Sequence, residues 1–188
     1  MIELMKHFIL FTGHMIDAKD RPQPRFPADK EEQVRQKIYE RVSHQKKIAK
    51  GELEGIASGA CGGDILFHEV CEALEIPTEV YLALPPEEFK KKSVSFAGRN
   101  WEERFDKLTC NKTIHVLPSD RNAEPGPNVY ELTNEWMLDA ALSSGGHNMS
   151  LIALWDGGGG DGKGGTEHMV NMAKEQGAEV EVIDMNKV

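Results

Sequence analysis

The stretch Ser58-Gly-Ala-Cys-Gly-Gly-Asp-Ile-Leu-Phe-His-Glu-Val70 joins an apolar run to a segment of helical character. Three of its first six residues are glycine. Glycine costs chain entropy and is favoured where the backbone turns sharply or where another group comes close to it. A strand, a tight glycine-rich turn and a helix in this order are typical of an α/β protein. The stretch therefore predicts one βα unit.

The same unit recurs along the chain. Six apolar runs suit buried strands: residues 7–12, 53–58, 78–84, 113–117, 150–155 and 179–183. Helical segments alternate with them: residues 29–48, 63–74, 100–108, 129–142 and 167–176. Strict alternation requires right-handed crossovers, which place helices on both faces of a mostly parallel sheet. We therefore predict a single domain, residues 1–188, with a doubly wound, mostly parallel, six-stranded Rossmann-like sheet.

Composition narrows the classes of function. The chain has 188 residues and a formal net charge of −9, from 22 Lys and Arg against 31 Asp and Glu. Without a long basic run, a broad nucleic-acid surface is disfavoured. No apolar stretch is long enough to span a bilayer, and no convincing leader cleavage site follows the first apolar run, so we expect a cytoplasmic protein that does not bind membranes. The three cysteines form no CxxC pair, which argues against a disulfide framework and a metal site.

Ligands of such sheets bind at the carboxyl ends of the strands, so the loops there are the candidate site. In the first glycine-rich loop, Gly59, Gly62 and Gly63 would let a phosphate lie against backbone N–H groups at a helix start. Asp64 caps that helix or accepts a hydrogen bond from a ribose hydroxyl. On this interpretation, Gly63→Val would abolish ligand binding in a folded protein. The alternative is a tight turn with nothing bound.

A second glycine-rich loop, residues 155–168, also leads from a strand into a helix. Its helix start offers the Thr166 hydroxyl and free N–H groups to a phosphate. Two such loops at one sheet edge suggest a shared crevice for a nucleotide or sugar phosphate. With the ends of the adjoining strands, the two loops contribute these candidate ligand-binding residues: Ser58, Gly59, Ala60, Gly62, Gly63, Asp64, Asp156, Gly157, Gly164, Gly165 and Thr166. The stretch 157–162 would form a mobile flap.

A third loop follows the first strand. Thr12, Gly13 and His14 come directly after buried residues, and Arg25 has the planar guanidinium that suits a phosphate or carboxylate. The alternative is a capped turn, with Pro27 starting the next helix. Several standard motifs are absent: there is no HExxH, GxxxxGK[ST] or GxSxG sequence, and the first glycine-rich loop does not fit GxGxxG, which disfavours a zinc protease, a P-loop enzyme, an α/β-hydrolase and a standard NAD dehydrogenase.

These residues together resemble the SLOG superfamily, a Rossmann-like group that includes the lysine-decarboxylase-like phosphoribohydrolases and the DNA-processing A proteins. The resemblance covers almost the whole chain and is closest to uncharacterised bacterial modules. It rests on residues 11–17 (FTGHMID), 25–27 (RFP), 60–64 (ACGGD), 84–85 (LP), 155–157 (WDG) and 164–166 (GGT), with Phe89, Ser93, Val94, Trp101, Arg104 and Phe105.

The resemblance implies binding of a nucleotide or nucleotide derivative, with the two glycine-rich loops as phosphate loops. Phosphoribohydrolase members carry a GGxGTxxE loop whose glutamate helps to cleave the N-glycosidic bond. Here Glu167 directly follows Thr166, so that spacing is lost.

Three functions stay open from the sequence. The first is a nucleotide-binding module, for which a nucleotide is the ligand rather than a resident cofactor. The second is an N-glycosidic hydrolase or transferase, with Glu167 or Asp156 assisting an oxocarbenium charge and His14 or Asp17 handling a proton. The third is a non-catalytic interaction module that forms a homo-oligomer through the helix face of residues 130–142.

Overall fold

A computed structural model describes residues 6–118, 128–159 and 165–188. The strands are β1 Lys6–Gly13, β2 Glu52–Ala57, β3 Thr78–Leu82, β4 Thr113–Val116, β5 Met149–Trp155 and β6 Glu179–Asp184. The helices are α1 Glu31–Ile48, α2 Gly63–Ala73, α3 Pro86–Ser93, α4 Arg99–Asn111, α5 Val129–Ala141 and α6 Thr166–Glu175. Within these ranges, no helix combines the length and the apolar character needed to cross a membrane.

The six strands form one sheet in the order β4-β3-β2-β1-β5-β6, and every pairing between them is parallel. The chain builds outward from β1 to β4 on one side and then returns to add β5 and β6 on the other. This arrangement confirms the predicted doubly wound, Rossmann-like fold. The order of the strands reverses between β1 and β5, which makes the carboxyl ends of these strands the expected ligand position.

Two apolar clusters cover the two faces of the sheet. Buried side chains of α1, α2, α3 and α4 pack with Phe11, Val80 and Leu154 on one face. Buried side chains of α5 and α6 pack with Leu10 and Leu151 on the other face. Because both faces are covered, the central strands are apolar on both sides, which explains the continuous apolar runs in the sequence.

The segment between β3 and β4 contains two helices where the sequence predicted one. Pro86 starts α3, since proline suits the first position of a helix. Gly98, with φ of +101°, then separates α3 from α4. The lysine-rich helix α3 is anchored by the buried side chains of Phe89 and Ser93. The helical segments predicted from the sequence do not include residues 86–93, so the buried side of α3 was not predicted.

Helix α2 is held on the sheet by an aromatic contact. Phe67 stacks on Phe11 of β1, with ring centroids 4.9 Å apart and planes inclined by 12°. Gly55 in β2 makes room for this ring, because a Cβ there would lie 3.0 Å from Phe67 and 2.8 Å from the Thr78 side chain. Stacking and close packing together determine where α2 begins, and therefore where the first glycine-rich loop lies.

A buried histidine ties the same helix to the end of β2. The imidazole of His68 contacts the Thr78 hydroxyl at 2.9 Å through Nδ1, and its Nε2 lies 2.9 Å from the carbonyl oxygen of Ser58. Burial lowers the pKa of His68 to about 4, so the ring is neutral at physiological pH. In the neutral ring, Nε2 donates a hydrogen bond to the Ser58 carbonyl and Nδ1 accepts one from the Thr78 hydroxyl. His68 thus holds Ser58, the first residue of the candidate site, against α2.

We expect Phe67→Ala to lower the free energy of unfolding by about 3 to 5 kcal/mol, because the substitution leaves a cavity beneath α2. The matched control is Phe96→Ala, since Phe96 is 43% exposed, and its effect should stay within about 0.5 kcal/mol. Urea denaturation followed by circular dichroism measures both. Equal effects of the two substitutions would contradict the assignment of Phe67 as the anchor of α2.

Candidate functional site

A cleft of about 470 Å³ opens at the carboxyl ends of β1, β2 and β3. Its floor is formed by the loops that follow β1 and β2. Helices α3 and α5 and the start of α6 form its walls. The cleft therefore lies beside the strand-order reversal, where doubly wound sheets bind their ligands.

Seven of the residues that the sequence selected line this cleft. They come from the end of β1, from the first glycine-rich loop and the start of α2, and from the start of α6: Thr12, Gly13, Ser58, Ala60, Asp64, Gly165 and Thr166. Three strand ends thus contribute to one cavity, as a shared crevice requires. Gly164 and residues 160–162 lie outside the described residues.

The opposite wall of the cleft was not predicted. Helix α5 contributes Tyr130 and Asn134, its capping residue Asn128 also lines this wall, and the end of α3 contributes Lys92 and Ser93. Lys92 is exposed to solvent, and its ammonium nitrogen lies 3.2 Å from a carboxylate oxygen of Glu88. The crossover from β4 to β5, which must pass over the sheet at the order reversal, is the one sequence signal that could have indicated this wall.

Helix α5 uses its apolar side within this fold. Thr133, Met137, Leu138 and Ala141 are buried, and the last three belong to the cluster that covers the sheet. The helix face that the sequence proposed for self-association therefore consists in large part of residues that pack against β1, β2 and β3.

The first glycine-rich loop uses its backbone N–H groups within the protein. Ala60 donates to Oδ2 of Asp64 at 3.2 Å, Cys61 donates to the Ser93 carbonyl at 3.0 Å, and Gly63 donates to the His14 carbonyl at 3.1 Å. Donors that already have acceptors do not bind a phosphate without losing those bonds. The expected phosphate cradle is thus occupied by the protein itself.

Close packing also favours glycine at three positions of this loop. A Cβ on Gly62, whose φ is +101°, would lie 2.5 Å from the Ile16 backbone nitrogen. At Gly59 it would lie 3.1 Å from the Phe105 ring, and at Gly63 it would lie 3.1 Å from the Phe11 ring. Gly63→Val would therefore press on the core rather than block a ligand, so the test expected from the sequence does not separate binding from folding.

Asp64 is the buried carboxyl group of the cleft. It stands in the first turn of α2 and is 7% exposed. Burial raises the pKa of Asp64 from its ordinary 3.8 to about 7, and the hydrogen bond from the Ala60 N–H only partly opposes this rise. A titratable group shifted by desolvation and facing a cleft is a candidate for a functional role.

The polar residues after β1 form a separate cluster. His14 is 9% exposed, and its Nε2 accepts a hydrogen bond from the Asp156 N–H at 3.2 Å, which places the proton of the neutral ring on Nδ1. The same nitrogen is 3.2 Å from Oδ1 of Asp156. Burial lowers the pKa of His14, although Asp156 partly offsets this effect. Arg25 completes the cluster, with its Nε 3.8 Å from Oδ2 of Asp156.

This cluster organises loops rather than lining the cleft. Asp17 accepts hydrogen bonds at Oδ2 from the N–H groups of Arg25 and Phe26, both at 2.9 Å. Arg25 also donates to the Gly159 carbonyl at 3.4 Å. Gly157 makes a turn with φ of +79°. Of the four proposed catalytic residues, His14, Asp17 and Asp156 belong to this cluster, and exposed Glu167 lies in the first turn of α6. None of the four lines the cleft formed by the described residues.

Possible metal ligands and the cysteine of the first glycine-rich loop bear on the chemistry that is open to the site. Within residues 6–118, 128–159 and 165–188, no group of three or more His, Cys, Asp and Glu side chains is arranged to hold a metal ion. Cys61 is buried beside the cleft floor, and burial raises the pKa of its thiol to about 12. A thiol with that pKa stays protonated near neutral pH and is a weak nucleophile.

Comparisons with protein-family models, with curated proteins and with solved structures find no match to this chain.

We expect Asp64→Asn to stabilise the protein in a pH-dependent manner. Because the folded-state pKa is raised, the stability associated with Asp64 is fully present below about pH 4 and is lost as the pH rises through about 7. Asparagine avoids the cost of burying a charge. The gain in free energy of unfolding over the wild type should therefore be greater at pH 8 than at pH 5, on the order of 2 kcal/mol.

Urea denaturation at the two pH values measures this difference. Glu72→Gln removes one charge from the exposed side of the same helix and serves as the control. An Asp64→Asn variant that is less stable than the wild type at pH 8 would contradict a desolvated, poorly compensated carboxylate.

Proposed function

We propose that this protein binds a nucleotide or a nucleotide derivative in the cleft at the ends of β1, β2 and β3. The observation that carries the proposal is that residues from both glycine-rich loops and from the end of β1 line one cavity of about 470 Å³. A cavity of this volume falls within the range that small-molecule ligands occupy. The position beside the strand-order reversal adds support, since doubly wound sheets bind nucleotides there.

In the proposed complex, the phosphate of the ligand lies at the start of α6. Gly165 precedes the helix, and Thr166 at its first position is 8% exposed and lines the cleft. A helix start presents N–H groups and the positive end of the helix dipole to an anion. Lys92 also lines the cleft and carries a positive charge, which is paired with Glu88 at 3.2 Å. These features support an anionic ligand in a protein of net negative charge.

The α5 wall suits the base. Tyr130 is 38% exposed and lines the cleft. Aromatic rings stack on the face of any base, so this side chain supports nucleoside binding without selecting the base. Asn134, also on α5, lines the same wall and carries an amide that can recognise a base edge by hydrogen bonds.

Cleavage of an N-glycosidic bond has weaker support than binding. The four residues proposed for that chemistry lie outside the cleft lining, and three of them hold loops together. Product analysis of each ligand tests this second function directly, since cleavage of the N-glycosidic bond would release the free base.

We expect Thr166→Val to weaken the binding of nucleoside phosphates by about tenfold or more, because the variant loses a hydroxyl at the phosphate position. Isothermal titration with the ligand that most raises the melting temperature, chosen from nucleoside mono-, di- and triphosphates, cyclic nucleotides, NAD and ADP-ribose, measures the change. Thr109→Val is the matched control, because the Thr109 hydroxyl donates to the Phe105 carbonyl on α4.

Two outcomes would contradict the proposal. The first is the absence of any thermal shift at millimolar ligand. The second is binding that Thr166→Val and Thr109→Val weaken equally, since this would place the phosphate away from the start of α6.

A further inference from the structure

Asp64 brings negative charge to the position where the first glycine-rich loop would hold a phosphate. Asp64 lines the cleft at the start of α2. Three N–H groups of the same loop already donate to acceptors of the protein, as described above. A phosphate at this point would meet a carboxylate in a poorly solvated environment and would find few free donors. The first loop therefore suits a neutral group that donates hydrogen bonds.

A sugar hydroxyl is such a group. An ionised carboxylate has about four acceptor positions on its two oxygens, and the described bond from Ala60 uses one of them, on Oδ2. Hydroxyl donors would compensate the cost of burying the charge, because hydrogen bonds to an ionised acceptor are among the stronger ones.

The spacing of the strands agrees with this placement. Asp64 follows β2, Thr166 follows β5, and β1 lies between these two strands. Two inter-strand spacings amount to about 10 Å. A ribose that carries one or two phosphates on its 5′ oxygen can span such a distance. One ligand can thus contact both ends of the cleft.

We propose that Asp64 accepts hydrogen bonds from the ribose hydroxyls of the ligand and makes the cleft selective for ribonucleotides over deoxyribonucleotides. The inference rests on the proposed function and adds the orientation of the ligand: phosphate toward α6 and hydroxyls toward α2. A site that hydrogen-bonds a hydroxyl rejects the analogue without it, because its polar group is then left buried and unpaired.

The test compares ligands that differ by one hydroxyl. Isothermal titration measures the affinities of ribose 5-phosphate and 2-deoxyribose 5-phosphate, and of each nucleoside monophosphate with its 2′-deoxy and 3′-deoxy analogues. Three proteins are used: the wild type, Asp64→Asn and the control Glu72→Gln. Asparagine keeps the shape and one acceptor for the Ala60 N–H, and thermal unfolding verifies that the variants are folded.

We expect the wild type and Glu72→Gln to bind the ribo ligand about tenfold or more tightly than at least one deoxy analogue. In Asp64→Asn that ratio should fall toward one, mainly through weaker binding of the ribo ligand. A role of Asp64 limited to holding the loop through the Ala60 N–H would weaken both ligands equally and leave the ratio unchanged.

The outcomes separate the two proposals. If the wild type binds ribo and deoxy ligands equally, or if Asp64→Asn keeps the wild-type ratio, the inference is overturned and nucleotide binding stands. If no phosphate ligand binds the wild type, both are overturned.

Discussion

Two backbone hydrogen bonds hold the loop after β1 against the loop after β2. The Ile16 N–H donates to the Cys61 carbonyl and the Gly63 N–H donates to the His14 carbonyl, each at 3.1 Å. The approach is so close that only glycine fits at position 62, where the backbone also has a positive φ. The start of α2, the floor of the cleft and the position of Asp64 all depend on this contact.

The same contact divides the loop after β1 between two environments. Thr12, Gly13 and Met15 face the cleft, whereas His14 lies against Asp156. Arg25 reaches the same carboxylate and the Gly159 carbonyl. One cluster of polar groups thus connects the end of β1 to the second glycine-rich loop. The cluster holds the approach to α6 in place and stands outside the lining of the cleft.

Asp64 is a residue that selection for folding stability alone would not favour. A neutral residue of the same shape would satisfy Ala60 and avoid the desolvation of a charge, yet the chain keeps a carboxyl group at the cleft floor. Functional sites often retain such unfavourable groups because a ligand completes their hydrogen bonding. Lys92 and the start of α6 line other parts of the cleft, so the cavity combines an acidic group at its floor with the positive end of a helix dipole.

Local patterns in the sequence carried the prediction of the fold. Apolar runs alternate with helical segments, and the crossover rule then implies a parallel sheet with helices on both faces. The same logic predicts that residues after the strands meet at one edge of a parallel sheet, and Thr12, Ser58, Asp64 and Thr166 all line one cleft there. Helix α3 was missed because its lysines mask the single apolar contact of Phe89.

What the sequence by itself determined is therefore the architecture and the edge of the sheet at which a ligand would bind. Only the tertiary structure decided the rest: that Gly62 and Gly63 serve close packing, that His14 turns away from the cleft, that α5 forms its far wall and that Asp64 is desolvated. These properties depend on contacts between distant parts of the chain, such as Gly62 with Ile16. No local pattern of residue types encodes the direction of a Cβ bond or the exclusion of water from a carboxyl group.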